Sequence, residues 1–353
     1  MAIQQWDPSN EPVRPGIYTN FKNAAAAQIT GGARGTVAIP LKTYAGTAIA
    51  KTFYTVDSEQ QAIDLFGEAN IQSIKFALQA GAKEVLVYTL PTIDGTTVTE
   101  SVAYTEAREA FETRPFNVFV FDGEVSDTEL TDTRAWVQKN RDEGKHFMLV
   151  VGGGDEDDQD PTAGNQRSTT LADENIVNVT IGGIIDGTAY SSAEIAPYIA
   201  GLIAGTPINQ SITYAQVPFD DVTKRLRNSE IDTALQAGSL VLVNDGEKVK
   251  VEQGITTNKD KIRKVRARQA ILTDIDRTAK DYYIGKLDNN PAGQATLISA
   301  IKAYLETLET QNVLMKPSVG LDPNYQSEGD KVYLAIAYTE VDSMERIFLT
   351  VTV

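Results

Sequence analysis

Hydrophobic positions follow three different rhythms along the chain. Up to about residue 24 they are scattered, and Pro8, Pro12 and Pro15 each remove a backbone donor and fix φ, so this stretch reads as an arm. Within it, Arg14-Pro15-Gly16-Ile17-Tyr18 predicts a turn feeding a short extended segment. From Gly31 onward the pattern is that of a packed body. Residues 36–41 and 51–56 read as strands. Ser58 with Gln61 fits a capping box for a helix that Gly67 ends, and a second helix over 71–80 stops at Gly81. Residues 83–90 read as a strand, and Asp94-Gly95 as a hairpin tip leading into a further strand at 97–103.

The middle of the chain alternates continuous apolar runs with helical patterns. The runs lie at 116–121, 146–151, 176–181 and 240–243, and the helices at 127–142 and 191–204. Asn244-Asp245-Gly246 turns a hairpin into 249–251. Strands without polar alternation are buried on both faces, which predicts a mostly parallel sheet covered by helices, an α/β domain over 95–255. The stretch 152–170 (GGGDEDDQDPTAGNQRSTT) reads as a long surface loop.

The last third changes again. A long helix is predicted over 259–284, with Ile262, Val265, Leu272, Ile275, Ala279 and Tyr282 on one stripe. Asn290-Pro291 opens another, with Ile298, Ile301, Leu305 and Leu308 inward. A loop at 315–330 leads to a strand at 331–339. In the final segment, 345–353, Ile347, Leu349, Val351 and Val353 fall on one face, and Arg346, Phe348, Thr350 and Thr352 on the other. Burying four such side chains is worth about 6–12 kcal/mol gross. A lone strand cannot collect that energy; it needs a sheet edge, either the chain's own or a neighbour's.

Composition narrows the function. The 353 residues leave room for two or three domains, and the absence of cysteine excludes disulfides, zinc-thiolate sites and thiol catalysis. A net charge of −16 repels nucleic acid and anionic membranes. The longest nearly apolar run, 195–205, is too short to span a bilayer. The first residues carry neither a basic nor an apolar signal region, so the reading is a soluble protein made in a cytoplasm.

Most candidate chemistry fails on inspection. His146 is the single histidine, it opens an apolar run, and no G-x-S-x-G elbow accompanies it, so it reads as structural. Gly152-Gly153-Gly154 follows a strand as a phosphate loop would, but Asp155, Glu156, Asp157, Asp158 and Asp160 come next, where lysine would be needed. The same acids lack EF-hand spacing for Ca²⁺. The sharpest anomaly is 259–268, six basic residues and one acid in an acidic chain. On a helix, Lys261, Lys264 and Arg268 share one flank of the apolar stripe. That flank is either solvated, with snorkelling stems, or the contact for an acidic surface. An α/β enzyme using 152–160 and a nucleic-acid binder using 259–268 are the rival functions.

Several short motifs, in order, carry a resemblance. Arg14-Pro15-Gly16-Ile17-Tyr18 is similar to the P-G-[IV]-Y arm of the contractile tail sheath proteins of myophages and R-type bacteriocins, and more distantly of type VI secretion sheaths. Gly32-Ala33-Arg34-Gly35-Thr36-Val37-Ala38 resembles that family's entry into the body. Leu65-Phe66-Gly67 and Gly81-Ala82-Lys83-Glu84-Val85-Leu86-Val87-Tyr88 resemble its next helix end and strand. Ala237-Gly238-Ser239-Leu240-Val241-Leu242-Val243, then Gln253-Gly254-Ile255-Thr256-Thr257, resemble its late signature, with Thr256 where Asn is usual.

The resemblance implies an α/β fold (α+β overall). Its parts are an N-terminal arm (1–24), a small αβ domain (25–94), a subtilisin-like α/β middle domain (95–255), a tube-proximal α+β domain (256–344) and a C-terminal arm strand (345–353). It implies a structural protein rather than an enzyme, without cofactors. Subunits stack as six-fold rings in a helix around a tail tube, and contraction drives the tube through a cell envelope. The arms would be swapped between subunits through Pro15, Gly16, Ile17, Tyr18, Ile347, Leu349, Val351 and Val353, with 20–24 and 340–343 flexing. Lys261, Lys264 and Arg268 would face the tube. The implied partners are other copies, the tail tube protein, and baseplate and tail terminator proteins, with no nucleic acid and no direct membrane insertion. The implied place is a virion tail or bacteriocin particle, assembled in the bacterial host cytoplasm.

Overall fold

The computed structural model describes residues 28–32 and 34–352, so Pro15, Gly16, Ile17, Tyr18, Ala33 and Val353 lie outside the described residues. The first elements are β1 (Thr36–Leu41), β2 (Phe53–Val56), α1 (Glu59–Phe66), α2 (Gln72–Gln79) and β3 (Glu84–Thr89). Next come α3 (Glu100–Phe111), β4 (Val118–Val120), α4 (Asp127–Asp142), β5 (Met148–Val151), α5 (Asp155–Gln159), α6 (Pro161–Thr170) and β6 (Ile176–Val179). The short strands β7 (Gly183–Ile185) and β8 (Thr188–Tyr190) precede α7 (Ser192–Gly205). After it lie β9 (Gln216–Val217), β10 (Asp221–Val222), α8 (Asn228–Ala237), β11 (Ser239–Leu240), β12 (Leu242–Asn244) and β13 (Val249–Val251). The C-terminal part comprises α9 (Ile262–Tyr282), α10 (Pro291–Thr310), β14 (Leu314–Leu321) and β15 (Leu334–Glu340).

Seven strands form one sheet in the order β11-β6-β5-β4-β1-β3-β2, parallel except for β2, which runs antiparallel to β3. The continuous apolar runs are explained by two cores, one on each face. Val37, Ile39 and Leu41 enter one and Ala38 the other; Val85 and Val87 likewise oppose Leu86 and Tyr88. Segment 25–94, expected as a small domain, supplies β1, β2 and β3 to this same sheet. On one face α7 lies against α2 at very short range: a Cβ on Gly201 would sit 2.2 Å from the Ala77 carbonyl oxygen, so this crossing requires glycine. A capping box starts α7, with Ser191 Oγ accepting from the Glu194 amide at 3.3 Å and Glu194 Oε2 from the Ser191 amide at 2.7 Å. The other face is an aromatic cluster under α3 and α4, in which Phe116 stacks on Trp136 and Phe119 and Phe147 pack edge-on or tilted against them.

A third core holds the C-terminal part. Ala267 and Ile271 of α9 meet Ile301, Leu305 and Leu308 of α10 and Leu314 at the start of β14. The first turn of α9, by contrast, places Ile262 and Val265 in the core beside the sheet. Helix α9 therefore bridges the two bodies.

Four expectations change. The segment 97–103 is the start of α3 and not a strand, because Thr99 Oγ1 caps the Val102 amide at 3.3 Å, and Asp94 Oδ1 closes the preceding turn on the amides of Thr96, Thr97 and Val98. The segment 152–170 is not a loop: Asp160 Oδ1 caps the Thr162 amide at 2.9 Å, and Pro161 opens α6. This helix buries Gly164, Arg167 and Ser168, so no apolar stripe betrays it. The loop expected at 315–330 begins with β14, whose register shift between Met315 and Ser318 accommodates Pro317. On α9, Leu272 and Tyr282 are exposed, and the inward face instead runs through Ala270, Ile271, Asp274 and Thr278.

Candidate functional site

The site is built where the chain leaves β15. Residues 341–352 belong to no strand, although their sequence alternates as a strand does. Ile347 is 72% exposed, Phe348 90%, Leu349 82% and Val351 79%, so neither face of the segment is buried among the described residues. Beside it lies a sheet of only two strands. β14 and β15 pair antiparallel from Leu314↔Glu340 to Leu321↔Leu334, and each leaves its outer edge open among the described residues. Met315, Leu321 and Ile336 are exposed on this hairpin. Two strands alone are marginal in water; these are held from one side by α10 through Leu314, Val319, Leu334 and Tyr338.

The basic helix start meets the root of that segment. Lys261 pairs with Glu345, Lys264 Nζ lies 3.1 Å from Asp342, and Arg268 Nη2 donates to Glu340 Oε2 at 3.1 Å. Arg263 Nη1 adds a bond to Ser343 Oγ at 3.1 Å. In the structure each of the three cations read as a tube contact thus faces an acid of its own chain. Glu345 is the most enclosed of the acids. Besides Lys261 it accepts from Thr213 Oγ1 and Gln253 Nε2, both at 2.8 Å, which ties it to the α/β body. Burial pushes its pKa up, but the hydrogen bonds from Lys261, Gln253 and Thr213 outweigh that and hold the carboxyl below its usual range. The connector 340–343, expected to flex, carries contacts from three basic side chains, Arg268 on Glu340, Lys264 on Asp342 and Arg263 on Ser343, with Lys261 on Glu345 just beyond it. The sequence signal for this is three acids within six residues at 340–345, opposite Lys261, Lys264 and Arg268.

A second knot lies farther along α9. The buried Asp274 carboxylate accepts from the Gly32 amide at 2.8 Å and from Tyr304 Oη at 2.5 Å, and pairs with Arg34. Arg277 Nη2 donates to the Thr30 carbonyl at 2.7 Å. The chain thus enters the body, as it leaves it, against α9.

The other candidates are used internally. Asp158 accepts from the Ser192 amide and Oγ at 2.5 and 2.6 Å, and burial pushes its pKa up to about 7. A Cβ on Gly153 would meet the Arg167 guanidinium, and one on Gly154 the Glu124 carboxylate, so the glycines are filled by the chain's own groups. Among the described residues no group of three or more metal-ligating side chains converges, and no helix is long and apolar enough to cross a membrane. His146 is half-buried beside a crevice of about 320 Å³; burial and the Arg141 charge lower its pKa.

The geometry is therefore that of a sheet-bearing body with an exposed, alternating apolar segment at its exit and an open hairpin beside it. The family model for the phage tail sheath protein central domain matches residues 98–257, and that for the phage tail sheath C-terminal domain matches 256–353. The chain belongs to the phage tail sheath family, whose members are structural proteins of the tail sheath. It is 26% identical over 310 residues to the tail sheath protein of Clostridium phage phiCD119, covering 84% of this chain and 81% of that one. It is 30% identical over 140 residues to the uncharacterized protein YqbK of Bacillus subtilis, covering 38% of this chain and 30% of that one. Its fold is that of the sheath tail protein from Desulfitobacterium hafniense, with a TM-score of 0.75 at 22% identity, covering 95% and 99% of the two chains. It is also that of the anti-feeding prophage helical sheath in its contracted state, with a TM-score of 0.72 at 16% identity, covering 97% and 99%.

Proposed function

We propose that this protein polymerises through its arms into a helical, contractile sheath of six-fold rings around a tail tube, and that contraction drives the tube through the target envelope. One observation carries the reading: the exposed alternating segment 346–352 leaves the body next to a hairpin with two open edges. An edge strand gains main-chain hydrogen bonds from an added strand, and alternate side chains set the register. A head-to-tail contact of this kind, repeated without closing on itself, generates a helix. The arm residues are Ile347, Leu349, Val351 and Val353, with Pro15, Gly16, Ile17 and Tyr18 at the other end. The partners are other copies, the tube, and baseplate and terminator proteins, in a virion tail or bacteriocin particle assembled in the host cytoplasm. The glycine-acid segment and the basic helix start are bound up with the chain's own groups, which supports a structural subunit without catalysis. The tube contact assigned to Lys261, Lys264 and Arg268 competes with Glu345, Asp342 and Glu340 for the same charges. Electron microscopy of the purified chain, alone and with tube protein, tests the function. Tubular polymers are expected; a chain that stays monomeric at every concentration and with tube present would overturn it.

A further inference from the structure

Helix α9 grips both ends of the body, and it does so with charge. Its first two turns hold the root of the C-terminal segment through Lys261, Lys264 and Arg268. Two turns later Asp274 and Arg277 hold the root of the N-terminal segment at Gly32, Arg34 and Thr30. At about 1.5 Å per residue, Arg268 and Asp274 are separated by about 9 Å along the helix axis. The same helix is packed into both cores, with Ile262 and Val265 in one and Ala267 and Ile271 in the other.

We infer that α9 is an ionic clamp that fixes where, and in which direction, both arms leave the subunit, so that the freely moving part of the C-terminal arm begins at Arg346. This rests on the arms being the links between subunits. Three features support it. The pairs are serial, so acids at 340, 342 and 345 take three cations spaced about one helical turn apart, and sliding the root by one residue breaks all of them together. Glu345 is also tied to Thr213 and Gln253, so the last clamped residue is fixed to the α/β body as well as to α9. Within the root, exposed side chains such as Met344 at 91% alternate with half-buried ones at 341, 343 and 345, whereas beyond Glu345 every described side chain is exposed, Ile347 at 72% and Phe348 at 90%. A load on one arm then passes along one helix to the other, without first bending the sheet. Pairs that are only partly buried suit such a clamp. They set direction at small cost in stability, and salt weakens them.

The test uses the full chain and compares wild type, Glu345→Gln, and the charge swap Lys261→Glu with Glu345→Lys. Amide hydrogen exchange is followed by mass spectrometry in unassembled protein, and sheath formation by electron microscopy. Breaking the Glu345 contacts is expected to speed exchange of the 341–346 amides about tenfold, with the α/β strands unchanged. It is expected to shorten or disorder the sheaths, and the swap, which restores the ion pair but not the acceptor for Thr213 and Gln253, to recover both in part. Unchanged exchange at 341–346 in Glu345→Gln overturns the clamp. Faster exchange with sheaths of normal length and order overturns its role in aiming the arm. Neither result touches strand donation itself, which fails only if chains lacking 346–353 still assemble.

Discussion

Lys261 and Glu345 stand 84 positions apart in the chain and form one ion pair, at the point where the packed body ends and the exposed segment begins. This pair gives the basic residues at the start of α9 partners within their own chain, at the root of the exposed segment. It also sets a pH limit. The Glu345 carboxyl is held below its ordinary value of 4.5, so its contribution is present above that value and is lost as pH falls through the depressed pKa. The segment 341–345 is therefore expected to become protease-sensitive below pH 4.5 while the strands of the α/β sheet remain protected. Limited proteolysis across pH 3–7, with fragment masses, checks this.

Asp158 behaves in the opposite sense. Burial pushes its pKa up to about 7, so its contribution is fully present below the ordinary carboxylate value and is lost as pH rises through 7. Tm is expected to be lower at pH 8 than at pH 5, at about 2–4 °C per kcal/mol. Asp158→Asn should flatten that dependence, because it removes the charge and keeps an acceptor for the Ser192 amide. Calorimetry of both proteins across pH 5–8 reads it out.

Asp274 is the acid on which the N-terminal entry depends. Its removal strands the Arg34 charge, the Tyr304 hydroxyl and the Gly32 amide together. Asp274→Ala is expected to cost about 3–5 kcal/mol, the range for breaking a buried charge pair. Urea denaturation should show a lower midpoint at similar slope.

The use of the basic helix start can be separated by reversal. Changing Lys261, Lys264 and Arg268 to Glu places like charges against Glu345, Asp342 and Glu340. If the cations serve the arm, self-assembly fails even without tube protein. If they serve the tube, empty sheaths form and only co-assembly is lost. The account predicts the first result, read by sedimentation and microscopy with and without tube.

Much of the sheet was legible because its strands are apolar on both faces: 36–41, 83–90, 146–151 and 176–181 all fall on observed strands. Helix α4 over 127–142 was legible from the apolar pattern around Leu130, Trp136 and Val137. Helix α6 was not, because its inward face is glycine, arginine and serine bonded to Asn178 and Ser239, and hydropathy does not register such a face. Asp274 was missed for the same reason, a carboxylate within an apolar stripe. The segment 345–353 showed its alternation plainly, but a pattern that needs a neighbour's sheet gives no hint of where its own anchor lies. The acids that form that anchor read as a polar connector until folding brought them to α9.

The register of the exposed segment offers a further check. Ile347→Asp or Val351→Asp would put a charge among the side chains expected to be buried in the neighbour, and assembly should fail with the monomer still folded. Thr350→Asp lies on the other face and should be tolerated. Equal damage from all three would show the assignment of the buried face to be wrong.

The central claim is that the exposed segment beyond Glu345 links subunits. Deleting residues 346–353 leaves the clamp and every core in place, so the truncated chain should fold with an unchanged Tm. Negative-stain microscopy is then expected to show monomers or short irregular clusters under conditions where the full chain forms tubes. Long, ordered tubes from the truncated chain would contradict the account.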